Sequence, residues 1–192
     1  MAALLNKEKG QEIAVVVEMD GFHYYKSELD QMPNPQEAHE RRGSHWTFDA
    51  KKFLSSLEEI KKNPRETIPC PSFEHHIGDP VQGAIQVTPR HQIVFVPGNY
   101  VLIEDEGVDG GVWAEVSRVL DEKWFVSIDI DFAMEALAKR HARAWNWSEE
   151  RARERIDGND RKNALFIQQH ASNAHLTIPY VFDATLQSTD NH

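Results

Sequence analysis

Asp20 and His23 lie close together in VVVEMDGFHYYKSELDQMP (15–33), directly after three consecutive valines. A carboxylate delivered at the end of a buried strand can take a proton from a hydroxyl nucleophile or help to hold Mg2+. Aspartate also caps turns through its own side chain, so position alone leaves both roles open. CPSFEHHIGDP (70–80) gathers Cys70, Phe73, His75 and His76. Their spacing matches no zinc pattern and no second ligand pair completes one. The segment reads as a loop that presents Phe73, His75 or His76 to a small molecule, or as a solvated loop. KRHARAW (139–145) sets Arg140 and Arg143 on one helix surface, where two guanidinium groups can clamp phosphate oxygens. A solvated basic face pairing with Glu149, Glu150 and Glu154 is the plainer reading of that pattern. There is no G-x-S-x-G elbow for nucleophilic serine chemistry. EDEGVDGG (104–111) lacks the aspartate spacing of a calcium loop and reads as a flexible connection.

These residues need elements to position them. IAVVVE (13–18) is continuous and β-branched, as in a strand buried on both faces. FDAKKFLSSLEEIKK (48–62) is helical, with Phe53, Leu54, Leu57 and Ile60 on one face, Asp49 able to cap its start and Asn63-Pro64 ending it. QIVFV (92–96) is a second buried strand running into Pro97-Gly98-Asn99, VWAEVSRVLDE (112–122) a helix, and KWFVSID (123–129) a third strand. FAMEALAKRHARAW (132–145) is helical, and another helix begins at Ser148 and stops near Asp157-Gly158-Asn159. RKNALFIQQHA follows as a helix, TIPYVF (177–182) as an edge strand, and the tail (183–192) is polar. Strands separated by helices predict an α/β fold with a largely parallel sheet, whose ligands bind at the carboxyl ends of the strands. Asp20, Asn99 and the residues after Asp129 then share one rim.

Composition narrows the setting. The 192 residues suit a single domain, and a net charge of −10 argues against general affinity for nucleic acid or an anionic membrane surface. No apolar run approaches the ~18 residues of a membrane span, and the N-terminal apolar stretch is too short for a signal peptide. Cys70 is the only cysteine, so no intrachain disulfide is available, and its plain reading is an inert, partly buried thiol. A cytoplasmic protein is expected.

Six segments together resemble one family: VVVEMDGFHYYKSELDQMP, EAHERRGSHWTFDAKKFLSSL, IPCPSFEHHIGDPV, IVFVPGNYVLI, VLDEKWFVSIDIDFAMEALAKRHA and NDRKNA. In this order they are similar to the P-loop kinases of the uridine kinase, phosphoribulokinase and pantothenate kinase group, above all the fungal and bacterial kinase-like branch with an M-D-G-F-H motif. The likeness covers about residues 13–170. It implies a three-layer α/β/α P-loop NTPase-like fold with a mostly parallel sheet, and ATP- and Mg2+-dependent phosphoryl transfer to a hydroxyl of a nucleoside-, pantothenate- or sugar-like acceptor. By the resemblance, Asp20 is the catalytic base or lies beside Mg2+. His23, Asp49, Phe73, His75, His76, Asn99 and Tyr100 fall on the acceptor side, and Arg140, His141 and Arg143 match the lid that closes over the phosphates.

Two departures set this chain apart. The strand, G-x-x-x-x-G-K-[ST] loop and helix that open such kinases are missing, since no Gly-Lys-Ser or Gly-Lys-Thr occurs anywhere. The family's E-G-N-Y reads Pro97-Gly98-Asn99-Tyr100, so a Glu near the Mg2+ site is a proline. The expectation is an N-terminally truncated fold, inactive as it stands, whose open sheet is completed by a second copy or a partner. The alternatives are a non-catalytic metabolite-binding or regulatory pseudokinase and a fragment of a longer kinase.

Overall fold

A computed structural model describes residues 1–74 and 76–181; His75 and the polar tail lie outside the described residues. Helix α1 (Ala2–Lys9) ends on Gly10 in the left-handed region (φ 63°). From α1, Asn6 exchanges two 2.8 Å hydrogen bonds with the main chain of Ala14, so a side-chain amide serves the first residue of β1 (Ala14–Val16) as a neighbouring strand would. A 3-10 turn (Met19–Phe22) follows, then α2 (Lys26–Leu29), α3 (Pro35–Glu40) and α4 (Ala50–Lys62). In α4 the predicted face is realised: Phe53, Leu54 and Leu57 are buried, and Asp49 accepts from the Lys52 amide at 2.9 Å.

The segment around Phe73 corrects the expectation of a loop. Ile68–Glu74 (β2) and Asp79–Val87 (β3) form an antiparallel hairpin. Pro69 and Pro71 argue against a strand in the sequence, because proline donates no ladder bond. Here Pro71 falls in the register shift between Cys70 and Ser72, and among the described residues β2 pairs only with β3. After β4 (Ile93–Phe95) comes EDEGVDGG, which also departs from expectation. It turns through a short 3-10 segment (Val108–Gly111) held by hydrogen bonds to Asp109, and leads into α5 (Val112–Val119).

β5 (Trp124–Ser127) is followed by α6 (Ile130–Trp145), α7 (Glu149–Arg155), α8 (Arg161–Gln169) and β6 (Leu176–Pro179). Asp157-Gly158-Asn159 does not stop the helix that Ser148 caps. A π-helical segment, Ile156–Asp160, joins α7 to α8, and Asn159 within it is buried and hydrogen-bonded. Tertiary bonds override the local Gly and Asn stop signal.

β1 pairs in parallel with β4, and β5 in parallel with β6. The fold is thus α/β with parallel strands, but the expected sheet appears as two parallel pairs beside the hairpin. Among the described residues β4 and β5 each keep one edge unpaired. Residue types that parallel strands normally bury are open to solvent: Ile93 is 39%, Trp124 44% and Val126 55% exposed. The core gathers instead where β1 ends. Val17, Met19 and Phe22 pack with Phe53, Tyr100, Ile103 and Trp113, all fully buried. Each such side chain contributes roughly 1.5–3 kcal/mol through burial. The turn carrying Asp20 is therefore built on this core.

Candidate functional site

The β1–β4 ladder continues past the strand ends, with Val17 N–H donating to Phe95 O (2.9 Å) and Met19 N–H to Pro97 O (3.0 Å). The chain then turns sharply between two neighbours. A Cβ on Gly21 would lie 2.3 Å from Pro71 O, and one on Gly98 would lie 2.6 Å from Met19 Cβ. Glycine at both positions lets the β2 backbone and the loop after β4 close on the turn. Asp20 is half-buried there. Its carboxylate accepts no hydrogen bond and joins no ion pair among the described residues, and the turn has no side-chain cap. The capping role that position alone left open is not the one the side chain plays.

His23 donates from Nδ1 to Asp20 O at 2.9 Å, because a carbonyl can only accept. Its ring packs on Phe48 (centroids 3.9 Å apart) and Phe73 (4.8 Å), so the fold brings Asp20, His23 and Phe73 together. Tyr100 is fully buried, donates to Gly43 O at 2.6 Å and meets Phe48 and Trp113 edge-on or tilted. Burial pushes its phenol pKa up, Arg41 opposes this, and Asp160, Asp20 and Asp109 reinforce it. Asn99 beside it is exposed. Asp49 uses Oδ1 as the α4 cap, while His76 stands exposed in the hairpin turn, 3.5 Å from Glu74.

The lid residues divide. Arg140 and Arg143 are exposed on α6, whereas His141 is buried, stacked on Trp145 (4.2 Å) with Nε2 3.2 Å from Asp160. Burial lowers the His141 pKa, partly offset by Asp160. The bonds that tie the α7–α8 arm to the loop after α3 come from residues the sequence reading did not single out. Asn159 and Arg155 donate to Arg42 O (3.1 and 3.0 Å), Ser44 to Asn163 (3.0 Å), and Arg41 to Gly158 O (3.2 Å) and Asn163 (3.1 Å). A cleft of about 950 Å3, lined partly by Arg41, Trp147, Arg151 and Lys162, opens beside this seam. Two asparagines inside a helical NDRKNA run were the available signal, since Asn is poor in helix interiors unless its amide is engaged.

His45 and Asp109 were also missed. His45 Nδ1 lies 2.7 Å from Asp109 Oδ2, which accepts Trp113 Nε1 at 3.0 Å as well. Burial alone would raise the Asp109 carboxyl; the two hydrogen bonds outweigh it and hold the group below the ordinary carboxylate range. The His45 ring stacks on Phe166 (4.9 Å) and meets Tyr100 edge-on (5.8 Å).

Among the described residues, no three His, Cys, Asp or Glu side chains converge to hold a metal ion. At the ends of β1 and β4, Asp20 offers a carboxylate, while Pro97 offers only a carbonyl already bonded to Met19. Without a Gly-Lys-Ser/Thr phosphate cradle, these residues do not by themselves fit ATP with its Mg2+.

No family model matches the chain. Individual proteins do. A Schizosaccharomyces pombe protein named "Putative uridine kinase C227.14" is 36% identical over 171 residues, covering 88% of this chain and 71% of the relative. The ATP-dependent kinase YFH7 of Zygosaccharomyces rouxii is 30% identical, over 85% of this chain and 50% of its own length. Among solved structures, a Silicibacter "putative fructose transport system kinase" superposes with a TM-score of 0.79 at 28% identity, covering 93% of this chain and 80% of that one. YFH7 from Saccharomyces cerevisiae gives 0.76 at 26%, covering 89% and 59%. The order of elements, the turn that carries Asp20 and these relatives converge: the chain belongs to the P-loop kinase family of its uridine kinase-like and YFH7-like relatives.

Proposed function

We propose that this chain is the acceptor-binding and lid portion of a small-molecule kinase, which transfers a phosphoryl group from ATP to a hydroxyl of a nucleoside- or sugar-like metabolite. The observation that carries the reading is Asp20: a carboxylate with no hydrogen-bond or ion-pair partner among the described residues, on a turn beside His23 and Phe73. Such a group can receive the proton of an acceptor hydroxyl as it attacks phosphorus. Phosphate binding needs a cradle that these 192 residues lack, so the chain alone binds acceptor and transfers nothing. The edges of β4 and β5 that stay unpaired among the described residues, and the exposed apolar residues on these strands, favour completion of the sheet by an additional strand, from a partner or a second copy. A cytoplasmic location belongs to the same reading.

The test joins a strand–G-x-x-x-x-G-K-[ST]–helix unit ahead of residue 1 and assays ATP-dependent phosphorylation across a library of hydroxylated metabolites. Transfer is expected, falling by about 100-fold or more in Asp20→Asn. Transfer that survives the substitution refutes the role of Asp20. The second reading, a metabolite-binding module without catalysis, is favoured by Pro97 and is separated by calorimetry on the unaltered chain. Acceptor binding without Mg2+-ATP binding fits both readings; renewed transfer once the loop is supplied fits only the first.

A further inference from the structure

We infer that Arg42 is a positioning residue of the candidate site, coupling the docking of the α7–α8 arm to the placement of Phe73, His23 and the turn that carries Asp20. Its place in a reaction rests on the kinase reading, whereas the coupling itself stands on contacts within the free protein. Arg42 lies in the loop after α3, with its side chain 15% exposed. Nη1 donates to Gly78 O in the hairpin turn. Nη2 donates to Asp79 Oδ1 at the start of β3 and to Tyr24 O, one residue past His23, both at 2.9 Å. Asp79 Oδ1 also accepts the Lys26 amide at 2.9 Å, a second tie between the same two segments. A planar, permanently charged fork serves two segments in one fixed geometry, which an ammonium on a flexible stem does not. The same guanidinium stands 5.6 Å from the Phe73 ring centroid, within cation–π range.

The main chain of the same residue faces the arm. Arg42 O accepts Asn159 Nδ2 (3.1 Å) from the π-helical segment and Arg155 Nη2 (3.0 Å) from the end of α7. The arm is therefore bonded to the Arg42 carbonyl, and the hairpin and turn to its side chain. From the side chain the contacts run inward, with Phe73 on His23 (4.8 Å) and His23 Nδ1 donating to Asp20 O (2.9 Å). Arg41 and Ser44 bond the arm as well, through Gly158 O and Asn163. Among the described residues their side chains make no hydrogen bond to the hairpin, so Arg42 is the link between the two. Undocking the arm would release the Arg42 main chain, and with it the fork that sets Phe73 against His23. A misplacement of about 1 Å at a reacting group can cost on the order of 100-fold in rate, so a small shift transmitted this way is enough to matter.

Amide hydrogen exchange tests the coupling with no ligand present, in the unaltered chain, Asn159→Leu, Arg42→Lys and the double variant. The reporters are the Gly78 amide, bonded to Glu74 O, and the Tyr24 amide, bonded to Thr47 O. The Leu57 amide within α4 reads general destabilisation. Asn159→Leu removes a donor to Arg42 O and should speed exchange at Gly78 and Tyr24 by about tenfold relative to Leu57. In the Arg42→Lys background the same change should add less than about threefold, because the fork that transmits it is gone. Arg155→Gln, at the partly exposed second donor, repeats the cycle if Asn159→Leu does not fold. An equal rise at all three amides, no rise at Gly78 and Tyr24, or the same rise in both backgrounds each overturns the inference. In the loop-completed protein, Arg42→Lys should lower kcat by about tenfold or more while KM for ATP stays within about twofold. An unchanged kcat overturns the inference too. No transfer by the loop-completed parent refutes the kinase reading alone, and the exchange cycle then decides the coupling.

Discussion

Gly21→Ala isolates the packing that holds Asp20 in place. Gly21 lies in the 3-10 turn and is absent from the glycines at positive φ, so alanine can adopt its backbone angles and only space opposes the change. The added Cβ would stand 2.3 Å from Pro71 O, 2.8 Å from Pro71 C and 3.2 Å from Ser72 N, all main-chain atoms of β2. None can swing aside as a side-chain tip would, so the turn and the hairpin must separate. Overpacking of this kind costs about 1–3 kcal/mol. The lost flexibility of the unfolded chain returns about 0.4–1 kcal/mol. A net destabilisation of about 1–2 kcal/mol is expected, lowering Tm by roughly 2–8 °C for a chain of this size. Gly158→Ala is the matched control. Nothing lies within 4 Å of its added Cβ and its φ is not positive, so it should be neutral or slightly stabilising. Urea unfolding of both variants measures the difference, and acceptor affinity reports whether Asp20 moved. A Gly21→Ala protein as stable as Gly158→Ala would refute the account of why a glycine follows Asp20.

Burial pushes the Cys70 thiol up to about 11, with Glu59 adding to the shift, so less than about 1% should be thiolate at pH 8. An aromatic disulfide reagent should modify it far more slowly in native than in unfolded protein; equal rates would contradict its burial. The lowered pKa of His141 makes the unfolded chain bind the extra proton first. Its contribution to stability is therefore intact above the unfolded value of about 6.5 and is lost as pH falls below it. His141→Leu should flatten the dependence of unfolding free energy on pH between 7 and 5, and an unchanged slope would rule this out. Tyr100→Phe removes the 2.6 Å bond to Gly43 O and should cost about 0.5–1.5 kcal/mol in chemical denaturation. No loss at all would mean that solvent replaces the phenol there.

Local periodicity and capping chemistry were legible before any coordinates. The α4 face of Phe53, Leu54 and Leu57 with its Asp49 cap follows from spacing, and so does the strand that ends before Asp20. The ordered motifs also pointed to the P-loop kinase relatives that the comparisons identify. Other features depend on atoms distant in the chain. Pro69 and Pro71 argue locally against a strand, yet the hairpin forms because β3 supplies the partner and the register shift absorbs Pro71. Asp157-Gly158-Asn159 reads as a helix stop, yet Asn159 stays helical because Arg42 O, more than a hundred residues away in sequence, accepts its amide. His45 and Asp109 are separated by 64 positions and carry no common motif, so only folding makes them a pair. Periodicity and caps act over a few residues and are written in the sequence. Shared cavities, long-range hydrogen bonds and left-handed backbone at Asp109 are stabilised by neighbours that only the tertiary structure brings within reach.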